Sequence, residues 1–206
     1  MAVPTPLVKK VLVEGVTGSR TLVLVANHAR PEPDLPLDDL PGLGGRFDLV
    51  ARFVNAALLT SHGIREDTDA IVVFTQPGEP LAIRVRGDEV TGVGPDERST
   101  AARLLGALEA TPMPVWQAVA EGIELRTGAL SDLLTDLADP LVLVHGDGEP
   151  LAGDRGAGTF VIGDHAGFTQ AQRDRLVKQA GGVASLGSTA LQADHVAAVL
   201  HHELDR

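Results

Sequence analysis

Short apolar runs alternate with segments of helical period along this chain, and the alternation limits its fold more than any other feature. The runs Thr21–Ala26, Ala70–Phe74, Leu81–Arg86, Leu141–His145, Thr159–Gly163 and Val183–Leu186 are rich in β-branched residues and bounded by Gly, Pro or Asp, as strands are. Between them, Phe47, Val50, Ala51, Val54, Leu58 and Leu59 share one face of a helix whose stop falls at Ser61-His-Gly63. Further helices are expected over Ser99–Ala110, over Leu130–Leu137 ahead of Asp139-Pro140, from an N-cap at Thr169 to Gly181-Gly182, and from about Leu191 to Leu204. Such alternation predicts an α/β fold on a largely parallel sheet with helices on both faces. Leu141–Val144 is uniformly apolar, as a strand covered on both faces must be. Residues 1–20 read as an N-terminal extension, with Val11–Val13 expected to pair as a hairpin with the strand from Thr21. Residues 21–206 read as one domain. The segments Pro31–Gly45 and Gly146–Gly158 read as loops.

With 206 residues and 44% hydrophobic content the chain can bury a sizeable core. It has no cysteine, which excludes disulfides, thiolate zinc sites and a cysteine nucleophile. No apolar run approaches the roughly 20 residues needed to cross a bilayer, and the N-terminus lacks a leader pattern. A cytoplasmic protein without membrane contact is expected. The 17 basic and 28 acidic side chains leave a net charge of -11, which opposes sequence-blind adhesion to nucleic acid. A local basic patch is still open. Lys9, Lys10 and Lys178 are the only lysines, so the cations are mostly arginine, the side chain suited to bidentate phosphate contacts. Arg46, Arg52, Arg84, Arg86, Arg98 and Arg103 form either surface ion pairs, as Arg46-Phe-Asp48 and Arg86-Gly-Asp88 suggest, or a phosphate-contacting face.

Three glycine-containing turns follow the last three expected strands: His145-Gly-Asp-Gly-Glu149, Gly163-Asp-His-Ala-Gly-Phe168 and Ser185-Leu-Gly187. Ligands of open α/β sheets bind outside the carboxyl ends of the strands, so the three turns point to one shared pocket; the plain alternative is three tight turns. There is no G-x-G-x-x-G or Walker A sequence after a strand and no G-x-S-x-G elbow, which disfavours dinucleotide, NTP and serine-hydrolase folds. His195, His201 and His202 lack the H-E-x-x-H spacing of a metal-binding helix, and a packing or capping role is expected for them.

The stretches Leu40-Pro-Gly-Leu-Gly-Gly-Arg-Phe-Asp48, Val54-Asn-Ala-Ala-Leu-Leu-Thr-Ser-His-Gly63, Pro95-Asp-Glu-Arg-Ser-Thr100, Gly163–Phe168, Ser185–Gly187 and Ala193-Asp-His195 to Glu203-Leu-Asp205 together resemble the archaeal-type tRNA (pseudouridine-54, N1)-methyltransferases of the SPOUT superfamily. The resemblance covers about Thr21 to the C-terminus. It implies a C-terminal trefoil knot from about residue 141, a homodimer, and S-adenosylmethionine as methyl donor to N1 of pseudouridine in tRNA. Carried over, the cofactor contacts are Leu143, Val144, Gly163, Asp164, His165, Ser185, Leu186, Gly187 and the stretch from Leu191 to Val196. Asp48, Arg46, Asp96 and His28 become candidates for orientation or proton removal, Asp48 first, with helix capping as its plain alternative. Arg46, Arg52, Arg84, Arg86 and Arg98 become the RNA contacts, and no metal is implied. Relatives often carry cysteine where Val196 stands here. Ribosomal RNA as target, a binding module without turnover, and a metal-dependent hydrolase on His145, Asp147, Asp164 and His165 are the competing readings.

Overall fold

The structure, a computed structural model, describes residues 12–13, 19–75, 78–137, 140–153 and 157–206. In chain order the elements are β1 (Leu12–Val13), β2 (Arg20–Ala26), α1 (Phe47–Leu58), β3 (Thr68–Phe74), β4 (Leu81–Arg86), α2 (Glu97–Ala107), β5 (Gln117–Ala120), β6 (Ile123–Thr127), α3 (Leu130–Thr135), β7 (Leu141–Pro150), β8 (Ala152–Gly153), β9 (Gly158–Gly163), α4 (Gln170–Gln179), β10 (Gly182–Ser185) and α5 (Ala193–Leu204). Eight strands form one sheet in the order β10-β7-β9-β2-β3-β4-β6-β5. From β10 to β3 the neighbours run parallel; β4, β6 and β5 continue the sheet antiparallel.

Period-two alternation along β2 divides the core. Leu22, Leu24 and Ala26 face one way and pack with α1, α2 and α5, including Phe47, Phe53, Leu104, Ala197 and Leu200. Val23 and Val25 face the other way and pack with Leu130, Leu133 and Leu134 of α3 and Leu176 of α4. A central strand apolar on both faces therefore requires helices on both faces, and they are there.

Three expectations are corrected. The sheet is mixed and not largely parallel, because β4 runs antiparallel to β3 and the β5–β6 hairpin, whose short strands leave alternate residues of β5 exposed, extends that edge antiparallel. β1 does not pair with β2 as a hairpin, since both edges of β2 are taken by β3 and β9; it lies parallel to β8 instead. The segment from Gly146 is not wholly loop either, for β7 runs on to Pro150. Opposite β10, the register of β7 jumps from Leu143 to Glu149, so residues 144–148 bulge out of the ladder. Gly148 permits the rejoining: a Cβ there would lie 2.5 Å from the Ala184 carbonyl carbon. Asp139, expected to end the third helix, is outside the described residues.

Candidate functional site

The bulge within β7 meets the turn after β9 and the loop after β10, at the carboxyl ends of those two strands, around a cleft of about 430 Å³. That size suits a nucleoside-like ligand. Val144, Gly163, Asp164, His165, Leu186, Gly187, Leu191 and Val196 all line it, as do Ile162 and Phe168. Leu143 does not, because its side chain is fully buried in the core behind the cleft. Ser185 stands one step back: its hydroxyl accepts from the Gly187 amide at 3.2 Å and shapes the turn that presents Gly187. The lining is largely apolar side chain and glycine-rich backbone, which suits a flat heteroaromatic ring held by main-chain groups.

Asp164 shapes this wall. One carboxylate oxygen accepts from the Ala166 amide at 2.9 Å, the other from the Asn27 amide at 2.7 Å. His145 and Asp147 belong to the bulge, and Asp147 is bound to Arg173 at 2.8 Å. The carboxylates of a hydrolase reading are thus engaged, and no group of three or more His, Asp or Glu able to hold a metal occurs among the described residues.

Beside the cleft stands a second wall, from the loop after β2 and the start of α1, which shares Asp164 and His165 with it. His28 reaches over so that its ring lies 5.0 Å from that of His165. Arg46, Asp164 and His165 line one small gap beneath. Arg46 is left-handed, with φ 74°, and is the only non-glycine residue with positive φ among those described. Such a conformation persists only where the surroundings enforce it. Here Gly45, at φ 59°, lies so close that a Cβ would come 2.1 Å from the His28 carbonyl oxygen, and the Arg30 amide bonds the Gly44 carbonyl at 3.1 Å. The Leu40–Asp48 stretch is thereby folded against His28.

Arg46 Nε donates to Asp48 Oδ1 at 3.0 Å, and Arg52 Nη1 donates to Asp48 Oδ2 at 2.9 Å. Burial alone would raise the Asp48 pKa; the Arg46 hydrogen bond and charge, with that of Arg52, outweigh it and hold the group below the ordinary carboxylate value. Asp48 is therefore a weak base. Arg52 continues the network, with Nε 3.1 Å from Asp194 Oδ2 and Nη1 3.4 Å from Glu97. Its own pKa, which burial would lower, is raised by Asp48, Asp194 and Glu97. Asp96 lines neither wall: it caps α2, accepting from the Ser99 amide at 2.9 Å and from the Ser99 hydroxyl.

Of the remaining arginines expected at RNA, Arg84 stacks 4.4 Å above the Trp116 ring and pairs with Glu124. Arg86 pairs with Asp88 and Glu89. Arg98 is exposed at the start of α2, with no ion pair among the described residues. His201 takes the packing role expected of it, as its Nε2 donates to the Ala57 carbonyl at 2.9 Å and ties α5 to α1.

A family model for SAM-dependent RNA methyltransferases matches residues 19–206. The chain belongs to that family. Curated relatives of this methyltransferase chain include proteins named tRNA (pseudouridine(54)-N(1))-methyltransferase from Natronomonas pharaonis, 39% identical over 90% of this chain and 96% of the relative, and from Halobacterium salinarum, 36% identical with the same coverage. A third, from Methanopyrus kandleri, is 40% identical over 90% of this chain and 92% of its own length. Among solved structures, Archaeoglobus fulgidus Nep1 bound to S-adenosylhomocysteine matches with TM-score 0.59 and 15% identity, over 91% of this chain and 97% of that one, a likeness of fold.

Sequence reasoning missed Asn27, Thr75 and Gln172, which carry the polar scaffolding behind the cleft. The signal was position: Asn27 and Thr75 each follow directly on a central strand, where site residues of α/β sheets concentrate.

Proposed function

We propose that the protein transfers a methyl group from S-adenosylmethionine to N1 of pseudouridine 54 in tRNA. The observation that carries this reading is the match to enzymes of that name at 36–40% identity over 90% of the chain, joined to a cleft whose lining fits the donor. Val144, Gly163–His165, Leu186, Gly187, Leu191 and Val196 would hold the donor. Bound, it supplies an electrophilic methyl group, so the protein has to orient the base and help remove the N1 proton.

Arg46 lines the gap shared with Asp164 and His165, and from there it would orient the uracil ring or its phosphate. Asp48, kept ionised by two arginines, would hold Arg46 in place in preference to acting as base. His28, exposed beside His165, would accept the N1 proton on a ring nitrogen. Arg84, Arg86 and Arg98 would meet the RNA backbone. The resemblance further supports a single domain over 21–206 with a trefoil knot from about residue 141, a cytoplasmic location, and a homodimer; the shallow groove between α1 and α5, lined by Ala56, Leu59, His195 and Ala198, is a surface a second copy would cover.

Mass spectrometry of nucleosides from tRNA incubated with the protein and labelled S-adenosylmethionine tests the reaction. N1-methylpseudouridine at the expected position supports it. Label transfer to tRNA lacking pseudouridine, or only to ribosomal RNA, overturns the assignment. Light scattering across a concentration series tests the dimer, which a monomer at every concentration would exclude.

A further inference from the structure

The residues that immediately follow the three central parallel strands β2, β3 and β9 are Asn27, Thr75 and Asp164, and all three are bonded to one another through Asn27. Its amide nitrogen donates to Asp164 Oδ2 at 2.7 Å, and its Oδ1 accepts from the Thr75 hydroxyl at 2.7 Å. Its Nδ2 donates to the Gly167 carbonyl at 2.9 Å and to Gln172 Oε1 at 3.3 Å, while Gln172 Nε2 donates back to Oδ1 at 2.6 Å. Both ends of the carboxamide are thus in use. Gln172 is itself fixed by the capping box of α4, where its Oε1 also accepts from the Thr169 amide at 2.8 Å.

The turn that Asn27 holds is internally closed without it. The Gly167 amide bonds the Asp164 carbonyl at 2.9 Å, and the Ala166 amide bonds Asp164 Oδ1. The Asp164 end of that turn is fixed to β2 by backbone, the Asp164 amide bonding the Val25 carbonyl at 3.1 Å and the Asn27 backbone amide bonding Asp164. What the Asn27 side chain adds is a second attachment, at the Gly167 end, to Thr75 and Gln172. The next residue, His28, carries the acceptor wall, since its carbonyl seats Gly45 ahead of Arg46. Asn27 is absent from the cleft lining, so it touches neither wall's ligand directly.

We propose that Asn27 is a positioning residue that sets the donor-binding turn Asp164–Gly167 in register with the acceptor wall of His28 and Arg46. The proposal rests on the methyl-transfer reading. It requires a side chain with a donor and an acceptor at once, which only a carboxamide of this length provides: in Asn27→Asp a carboxylate oxygen would face the Gly167 carbonyl.

The consequence is a split between binding and turnover. With the turn intact but loosely attached, the donor still binds while its methyl is displaced from the acceptor, and misplacement on the order of 1 Å can reduce a rate about a hundredfold. In Asn27→Ala and Asn27→Asp, single-turnover methyl transfer to pseudouridine-containing tRNA is expected to fall roughly 30- to 100-fold, with the calorimetric Kd for S-adenosylmethionine within about threefold of the parent. Thr75→Val, which removes only the hydroxyl's bonds to Asn27 and to the Ala26 carbonyl, should give a smaller loss of the same kind and guards against simple misfolding of the Asn27 variants, as circular dichroism will check. Unchanged transfer in folded Asn27→Ala overturns the proposal, as does a loss of donor affinity large enough to account for the whole rate effect. If the parent protein itself transfers no methyl to this RNA, the functional reading fails instead, and the calorimetric comparison still reports whether donor binding is independent of Asn27.

Discussion

The cleft lining and the wall beside it are built by different means. The lining, proposed above to hold the methyl donor, uses backbone: a bulge in β7 and the turns after β9 and β10, with apolar side chains between them and one carboxylate, Asp164, whose oxygens accept amides. The wall beside it, proposed above to meet the acceptor base, uses charge: Arg46, Asp48, Arg52 and Asp194 in one chain of ion pairs running from the gap at Asp164 to the first turn of α5. A backbone site tolerates substitution of most of its side chains, whereas a charge chain depends on each member. The sharpest way to break this contrast is Arg46→Ala, which should lower kcat/KM for methyl transfer 10²- to 10³-fold, as loss of one preorganised charge at a reacting centre does, and leave donor affinity unchanged. Equal damage from Val144→Ala would dissolve the distinction between the walls.

The same contrast decides what the sequence made legible. Strand-following glycine turns are local, so the three turns, the N-cap at Thr169 and all five helices could be read from composition and period. Ion pairs are not local. Arg52 and Asp194 meet across 142 positions, and nothing in the sequence around Arg52 separates a cation for phosphate from one held by three carboxylates. The resemblance carries Leu143 over as a contact, but β7 is covered on both faces here and the Leu143 side chain is fully buried in the core. The β5–β6 hairpin escaped notice because its half-exposed pattern lacks the continuous apolar run that marks the parallel strands.

The seam of α1 and α5 holds a buried titratable group, His201. Burial, aided by the charge of Arg65, lowers its pKa from 6.5 to about 4, while Asp205, bound to Arg20 and Arg65, opposes the shift. Above pH 6.5 the ring is neutral in both folded and unfolded chains. As pH falls below that, the unfolded chain takes up a proton and the folded one does not, so stability should drop by about 3 kcal/mol by pH 4. Asp48 and Asp205, both held below their ordinary value, add losses in the same direction below about pH 4. Urea unfolding at pH 7 and pH 4.5 measures the drop, and His201→Gln should flatten it; an equal drop in that variant would move the effect elsewhere.

Asp48→Asn asks how much of the charge chain is structural. The variant leaves Arg46 and Arg52 without their shared carboxylate. Breaking a fully buried pair has a penalty of about 3–5 kcal/mol, but both arginines are about a third exposed or less, at 32% and 27%, so about 2 kcal/mol is expected after screening. Thermal unfolding checks it. A loss of activity far beyond that of Arg46→Ala would mean Asp48 acts in the reaction itself.

The smallest effect separates free cations from neutralised ones. Arg98 stands in the first turn of α2, where the helix dipole opposes a positive charge, and it has no ion pair among the described residues, so its charge does nothing evident for the fold. Arg86, by contrast, has its charge answered by Asp88 and Glu89. If the acidic remainder of the molecule leaves RNA only the unanswered cations, Arg98→Ala should weaken tRNA binding several-fold and lower the slope of log affinity against log salt by about one. Its melting temperature should be unchanged or slightly higher. Arg86→Ala should affect binding less than Arg98→Ala does, because the carboxylates it leaves behind were already screening it. Equal losses in filter-binding titrations across salt would show that pairing in the free protein is no guide to which arginines the RNA recruits.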